Sequence, residues 1–300
     1  MVCSQPRVLG KMKGIILAGG NGSRLFPSTI SISKQLLPIY DKPLIFYPLS
    51  ILMLADIKEI LIICFQKHLD LYKNLLGDGT KYGVNIKYEI QDIPKGIADA
   101  FVVGEKFIKK DKVCLVLGDN IFWGQGFSGI LQRSRKVKGA KIFGYRVDNP
   151  SEFGVLTFNA DGTPKTIEEK PKNPKGNLAI PGLYFYDNSV IERAKNLRPS
   201  IRGELEITDL NKTYIKDGLL EVTELGRGFA WLDTGTPESL LEASNFVGMI
   251  EKRQGKKIAC LEEIALQKSW ISKTSLGKTI KNMPNSSYRD YLKKILNFRK

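Results

Sequence analysis

Leu17-Ala-Gly-Gly-Asn-Gly-Ser-Arg-Leu25 continues directly from a short apolar run, Gly14–Ala18. Glycines just past the carboxyl end of a buried strand let backbone N–H groups close around phosphate oxygens. A dinucleotide loop built on Gly20 and Gly22 would need glycine where Leu25 stands, and a Walker loop would need a Gly-Lys-Ser/Thr ending. Gly277-Lys278-Thr279 has that ending, but Ser272 occupies the first glycine position and no apolar strand precedes it. What the glycine loop adds is Arg24, then Lys34 in Ser33-Lys34-Gln-Leu-Leu-Pro38. A planar guanidinium and a point-charge ammonium suit different phosphates of one triphosphate. Taken alone, the same residues also make a tight strand-to-helix turn with solvated charges.

Two acids follow apolar runs: Asp119 in Leu117-Gly-Asp119-Asn120, and Asp233 in Trp231-Leu-Asp233-Thr-Gly-Thr236. Carboxylates so placed hold divalent cations whose other ligands are phosphate oxygens, and they also cap helices. Glu168-Glu169-Lys170-Pro171 is a charged cluster that, by itself, reads as an exposed hairpin rim. A glycine loop, two strand-end acids and isolated lysines in one chain are the parts that metal-assisted nucleotidyl transfer needs.

Other chemistries are excluded by rare residues. The single histidine, His68, permits neither an HExxH site nor a two-histidine metal site. Cys3, Cys64, Cys114 and Cys260 form no CxxC pair, which argues against a zinc ribbon or a disulfide framework. No run reaches the roughly 18 uncharged apolar residues of a membrane span, and the N-terminus has no apolar stretch of signal length. A cytoplasmic location is expected. The net charge of +15 is uneven: residues 268–300 carry nine basic residues against Asp290, residues 1–13 carry three, and the body is left at +4. Apart from Trp270 and the Tyr288–Tyr291 stretch the basic end has little aromatic interleaving. It reads as a solvated helix face, with no nucleic-acid partner.

The elements that would position these residues alternate in type. Glu59–Phe65, Val84–Ile90, Lys112–Leu117 and Ala140–Arg146 read as strands; Pro43–Ala55, Lys67–Leu76, Gly96–Ile108 and Phe127–Val137 read as helices. That alternation predicts an α/β fold with a mixed, mostly parallel central sheet and helices on both faces. Further on, Phe153–Phe158 and Thr163–Glu169 flank the hairpin signal Asp161-Gly162, and Leu178–Tyr186 reads as one strand. Leu219–Leu225 and Phe229–Leu232 read as strands joined across Gly226-Arg227-Gly228, and Ile207–Lys216 and Pro237–Arg253 as helices. No linker divides the chain. Residues 12–260 are expected to form the α/β domain and 261–300 a basic helical addition packed on it, with 1–11 a disordered extension.

Gly19-Gly-x-Gly-Ser-Arg-Leu-x-Pro27 and Lys34-x-Leu-Leu-Pro-Ile-Tyr-Asp-Lys-Pro43 together carry a family resemblance. It continues through Leu117-Gly-Asp-Asn-Ile-Phe-Trp-Gly124, Glu168-Glu-Lys-Pro171, Gly182-Leu-Tyr-Phe-Tyr-Asp187, Arg202-Gly-Glu-Leu-Glu-Ile-Thr-Asp209 and Gly226-Arg-Gly-x-Ala-Trp-Leu-Asp-Thr-Gly-Thr236. The chain resembles the sugar-nucleotide pyrophosphorylases over about Met12 to Phe298, and is most similar to the bacterial glucose-1-phosphate thymidylyltransferases among them.

The resemblance implies a Rossmann-like nucleotide-diphospho-sugar transferase fold. It also implies a reaction, in which glucose 1-phosphate attacks the α-phosphorus of dTTP to give dTDP-glucose and pyrophosphate with Mg²⁺. By motif position, Asp119 and Asp233 hold the metal, and Arg24 and Lys34 stabilise the triphosphate and the leaving pyrophosphate. Lys170 meets the sugar phosphate, while Gly154, Glu169, the Gly182 backbone and Tyr184 position the hexose. Gln91, with Gly96 nearby, reads the base edge, and Leu17, Gly19, Gly20, Gly22 and Ser23 line the nucleotide loop. A homotetramer, feeding dTDP-rhamnose or another deoxysugar into surface polysaccharide, is implied as well.

There are departures from the family pattern. Ser23 replaces a Thr, Phe153-Gly154 replaces Tyr-Gly, and Asp99 stands in a stretch usually rich in Gln. Gln125 and Gln267 occupy neighbourhoods where regulated relatives carry His and Arg, so altered or absent feedback inhibition is expected. Two rivals remain. UTP differs from dTTP at the base by one methyl, a discrimination of only about 1–3 kcal/mol in an apolar pocket. A catalytically silent subunit is opposed by the intact Arg24, Lys34, Asp119, Lys170 and Asp233.

Overall fold

The structure, a computed structural model, describes residues 11–20 and 22–297. β1 (Met12–Leu17) runs into the glycine loop, which carries a 3-10 turn at Ser23–Leu25. A second such turn, Lys34–Leu36, precedes a ribbon of β2 (Pro38–Ile39) and β3 (Lys42–Pro43). Then come α1 (Phe46–Leu54), β4 (Glu59–Cys64), α2 (Leu69–Leu76), β5 (Asn85–Ile90), α3 (Asp99–Val103), α4 (Glu105–Ile108) and β6 (Lys112–Leu117). The chain continues through β7 (Asn120–Gly124), α5 (Phe127–Ser134), β8 (Ala140–Arg146), β9 (Gly154–Phe158), β10 (Pro164–Glu169), β11 (Leu178–Ala179) and β12 (Leu183–Tyr186). It closes with α6 (Val190–Lys195), α7 (Ile207–Lys216), β13 (Leu220–Glu224), β14 (Phe229–Asp233), α8 (Pro237–Gln254), α9 (Leu261–Gln267), α10 (Lys273–Lys281) and α11 (Ser287–Asn297).

The expected mixed central sheet is present, in the order β10-β9-β11-β8-β12-β6-β1-β4-β5, with β13 beside β8. β6, β1, β4 and β5 are parallel, and β12 enters antiparallel between β6 and β8. Their apolar runs are continuous because parallel strands are covered on both faces. The period of two sends Ile16, Ile62, Cys114 and Val116 to one face, under Leu49 and Leu52 of α1, Phe127 of α5 and Ile264 of α9. It sends Ile15, Leu61, Ile63, Val113 and Leu115 to the other, under Phe101 of α3, Ile191 of α6 and Tyr214 of α7. No helix of the described residues is long and apolar enough to cross a membrane.

Three sequence expectations are corrected. The helix expected over Gly96–Ile108 is two, α3 and α4, divided at Gly104; a β-carbon there would stand 2.9 Å from the Ala100 carbonyl oxygen and 3.0 Å from Ile15. The strand expected over Leu178–Tyr186 is cut by Ile180-Pro181-Gly182, since Pro has no N–H to give a ladder. β11 therefore pairs with β8 and β9, while β12 crosses to pair with β6 and β8. The strands on either side of Gly226-Arg227-Gly228 do not pair with each other: β13 joins β8, and β14 joins β7. β7 itself was not foreseen. Of the expected extension over residues 1–11, all but Lys11 lies outside the described residues.

The C-terminal helices continue the body. Leu261, Ile264 and Ala265 of α9 belong to the same buried cluster as α1, and Cys260, Leu276, Ile280 and Leu292 form a small cluster of their own.

Candidate active site

Asp119 lies between the end of β6 and the start of β7, and Asp233 ends β14 opposite Asn120 in the antiparallel ribbon. Thr234 fixes this junction, donating its N–H and its Oγ1 to the Asp119 carbonyl at 3.1 and 2.8 Å. Two carboxylates are thereby held side by side at the mouth of the sheet. Asp119 is paired through Oδ2 with the Lys34 ammonium, and its Oδ1 accepts from Asn120 Nδ2 at 2.9 Å. Burial pushes the Asp119 pKa up, but the Lys34 charge and these hydrogen bonds outweigh it and hold it below the usual value. Asp233 goes the other way: burial and the Asp119 charge push it up to about 6, against the pull of Lys34, Arg24 and Lys170. Arg24 reaches this group by lying against Gly235, where a β-carbon would stand 2.5 Å from its Nη2.

A cavity of about 170 Å³ opens at the acids, and its lining includes Arg24, Asp119 and Asp233 together with Gly154, Glu169, Lys170, Gly182 and Tyr184. Lys170 turns the chain at the end of β10 with φ at 45°, a left-handed conformation costly for a side-chain-bearing residue, and its N–H donates to the Phe153 carbonyl at 3.0 Å. Glu169 Oε2 accepts from Thr208 Oγ1 at 2.6 Å, and Gly154 leaves the space beside them open: a β-carbon would stand 3.3 Å from that oxygen. The Gly182 backbone is already engaged within the protein, its N–H with Asn120 Oδ1 (3.0 Å) and its carbonyl with the Leu117 N–H (2.9 Å). What Gly182 offers is a missing side chain, since a β-carbon would collide with Leu117 at 2.5 Å. Tyr184 is almost fully buried, which pushes its phenol up.

Of the residues expected to bind nucleotide, Arg24 lines that cavity and the rest stand outside it. Leu17 accepts from the Gly118 N–H at 2.9 Å, which ties the start of the glycine loop to the strand carrying Asp119. Gly20 lies under the Lys34 stem (3.9 Å to a built β-carbon), and Gly22, at φ 58°, has its carbonyl bonded by Thr29 Oγ1 at 2.9 Å. Ser23 and Arg24 are exposed. Gly19 lies against the Gln91 side-chain oxygen, and Gly96, at φ 94°, lies against the Leu205 backbone where no side chain fits.

Asn120, Thr208 and Trp231 were missed as site residues. Asn120 Oδ1 accepts from both Gly182 and Trp231 Nε1 (2.7 Å) while its amide holds Asp119, so one side chain links β7, β14 and the start of β12. Its place beside Asp119 was the available signal; Thr208, inside the Arg202–Asp209 motif, had a similar one.

The nucleotidyl transferase family model matches residues 13–249. The chain belongs to that family. It is 54% identical to a glucose-1-phosphate thymidylyltransferase of Neisseria meningitidis, over 95% of this chain and 99% of that one. It is 52% identical to the Mycolicibacterium smegmatis protein of the same name, with the same coverage. A Bacillus anthracis protein provisionally given this name, solved with sucrose, superposes with a TM-score of 0.73 at 41% identity, over 78% of this chain and 94% of that one. At 24% identity and a TM-score of 0.69, a UDP-glucose pyrophosphorylase solved with UDP-glucose shares the fold. The family match thus ends within α8. Among the described residues no group of three or more His, Cys, Asp or Glu converges. The residues that could hold a small divalent cation are Asp119 and Asp233, two hard oxygen donors that would leave positions for phosphate oxygens and water.

Proposed function

We propose that the chain transfers a thymidylyl group from dTTP to glucose 1-phosphate, releasing pyrophosphate. The observation that carries this reading is that Arg24, Asp119, Lys170 and Asp233 line one cavity together with Gly154, Glu169 and Tyr184, while Lys34 pairs with Asp119. Asp119 and Asp233 would hold Mg²⁺, and a dication would relieve both the burial and the Asp119 repulsion that raise Asp233. When bound, the ion neutralises charge on the phosphate oxygens as the two substrates meet. A sugar-phosphate oxygen forms its bond to the α-phosphorus as the bond to the pyrophosphate oxygen breaks. The nucleophile is already anionic, so positioning and charge neutralisation are the main work. Lys170 orients the attacking phosphate, Arg24 and Lys34 carry the charge growing on pyrophosphate, and Glu169, held by Thr208, accepts from hexose hydroxyls.

Thymine leads over uracil here because relatives matched over nearly their whole length are named thymidylyltransferases. A cytoplasmic homotetramer goes with the same reading, and light scattering on the native protein gives its mass. Pyrophosphate release with glucose 1-phosphate and Mg²⁺, compared across dTTP, UTP, ATP and GTP, tests the chemistry. Release is expected to favour dTTP and to fall by on the order of 10²–10³ in Asp119→Asn with an unchanged circular dichroism spectrum. A preference for UTP changes the substrate, and no release with any nucleotide by folded protein supports a silent subunit.

A further inference from the structure

Gln91 follows the last residue of β5 and is 7% exposed. Its amide is not free to turn. Nε2 donates to Asp99 Oδ2 at 2.7 Å, and Asp99, in the first turn of α3, is itself 8% exposed. A carboxylate only accepts, so the amide must give Asp99 its NH₂ edge. Oε1 is thereby sent toward the glycine loop, where a β-carbon on Gly19 would stand 3.4 Å from it. Among the described residues Oε1 takes no hydrogen bond, and it is not among the buried atoms left without a partner. Gln91 therefore shows the nucleotide loop an acceptor.

We propose that Asp99 is a positioning residue that sets which bases the site admits, by fixing Gln91 with its acceptor toward the base edge. The inference rests on the reading of Gln91 as the residue that meets the base. Thymine and uracil carry an N–H between their two carbonyls, which an acceptor satisfies. Cytosine carries a lone pair at that ring nitrogen and would meet Oε1 lone pair against lone pair. Mismatched polar groups of this kind give hydrogen-bonding sites their discrimination. Asparagine at position 99 both donates and accepts, so in that variant Gln91 can turn over and offer its NH₂ to cytosine.

The experiment is calorimetric binding of dTTP and of dCTP, with Mg²⁺, to the full-length chain, to Asp99→Asn, and to the double variant Asp99→Asn with Gln91→Glu. The wild type is expected to prefer dTTP by on the order of 10²-fold or more. Asp99→Asn narrows that preference by at least about tenfold, the worth of one hydrogen bond, with dTTP binding weakened and dCTP binding strengthened. In the double variant the new amide at position 99 donates to the new carboxylate at position 91, which again shows only acceptors, and the preference returns. Asp99→Asn with the wild-type preference, or with both nucleotides weakened alike, overturns the proposal, as does a double variant that fails to rescue. Wild-type protein that binds dTTP and dCTP equally overturns the base-reading role of Gln91 and the proposal with it. Binding needs no turnover, so a protein that shows the expected pattern yet releases no pyrophosphate refutes the transferase reading while supporting the role of Asp99.

Discussion

Lys170 carries two demands at one position. Its charge acts on Asp233, and its backbone sits at φ 45°, where a β-carbon is strained and glycine is not. Replacing it separates the two. Lys170→Ala and Lys170→Gly should both raise KM for glucose 1-phosphate, because each removes the ammonium proposed to orient the sugar phosphate. Only the glycine variant relieves the backbone, by about 1 kcal/mol, so it should melt roughly 2 °C above the alanine variant. Equal melting temperatures would show that the turn is not strained. Glu168-Glu169-Lys170-Pro171 reads as a hairpin rim when taken alone, and only the family resemblance gives Glu169 and Lys170 an expected role. Residue types and their place after apolar runs were enough to pick out Arg24, Lys34, Asp119 and Asp233. The strain at Lys170 was not legible, since no neighbouring residue type announces a left-handed lysine.

The ribbon of β7 and β14 decides whether the two acids meet, and pairing between segments so far apart in the chain leaves no local mark on either. Strands such as β1 and β4 could be read because both their faces are buried and their apolar runs unbroken. β7, with Trp123 and Gly124 only half-buried, has no such run, and the apolar stretch over Leu178–Tyr186 hid a break at Pro181. Asn120 is what locks the ribbon to β12 and to Asp119. In Asn120→Asp the oxygen that accepts from Gly182 and Trp231 is kept, but the donor to Asp119 becomes a second negative charge. That variant should lose roughly 5 °C in melting temperature at neutral pH from the repulsion between its buried carboxylate and that of Asp119, with kcat down by about tenfold or more. Asn120→Ala leaves the Gly182 and Trp231 N–H groups without a partner and should in addition lose about 2–3 kcal/mol of stability. If both variants lose stability and activity in the same proportion, the residue is a brace for the ribbon and has no separate role in holding Asp119.

On the scale of the whole molecule, the basic C-terminal end is folded onto the body by two tyrosine–glutamate bonds. Tyr288 donates to Glu262 Oε2 at 2.6 Å and Tyr291 to Glu263 Oε2 at 2.5 Å, and both glutamates are buried residues of α9. The lysines of α11 share that helix with Leu292, which is fully buried, so the positive charge lies on the outer side of a docked amphipathic helix. Burial raises the Glu263 pKa above its ordinary 4.5, and the Tyr291 hydroxyl limits that rise. A carboxyl with a raised pKa binds more protons folded than unfolded between those two values, so its contribution to stability falls as pH rises through that window. Tyr291→Phe removes the hydroxyl that favours the charged form and pushes Glu263 higher still. The variant should therefore lose about 2 kcal/mol at pH 7.5, the worth of a hydrogen bond to a charged group, or roughly 5 °C in melting temperature. The deficit should shrink as the pH is lowered from 7.5 to 5, the direction that favours the protonated Glu263. Thermal melts of both proteins at the two pH values read this directly. A deficit independent of pH would trace the loss to packing around Leu292, and no deficit at either pH would mean that Tyr291 does not anchor the helix.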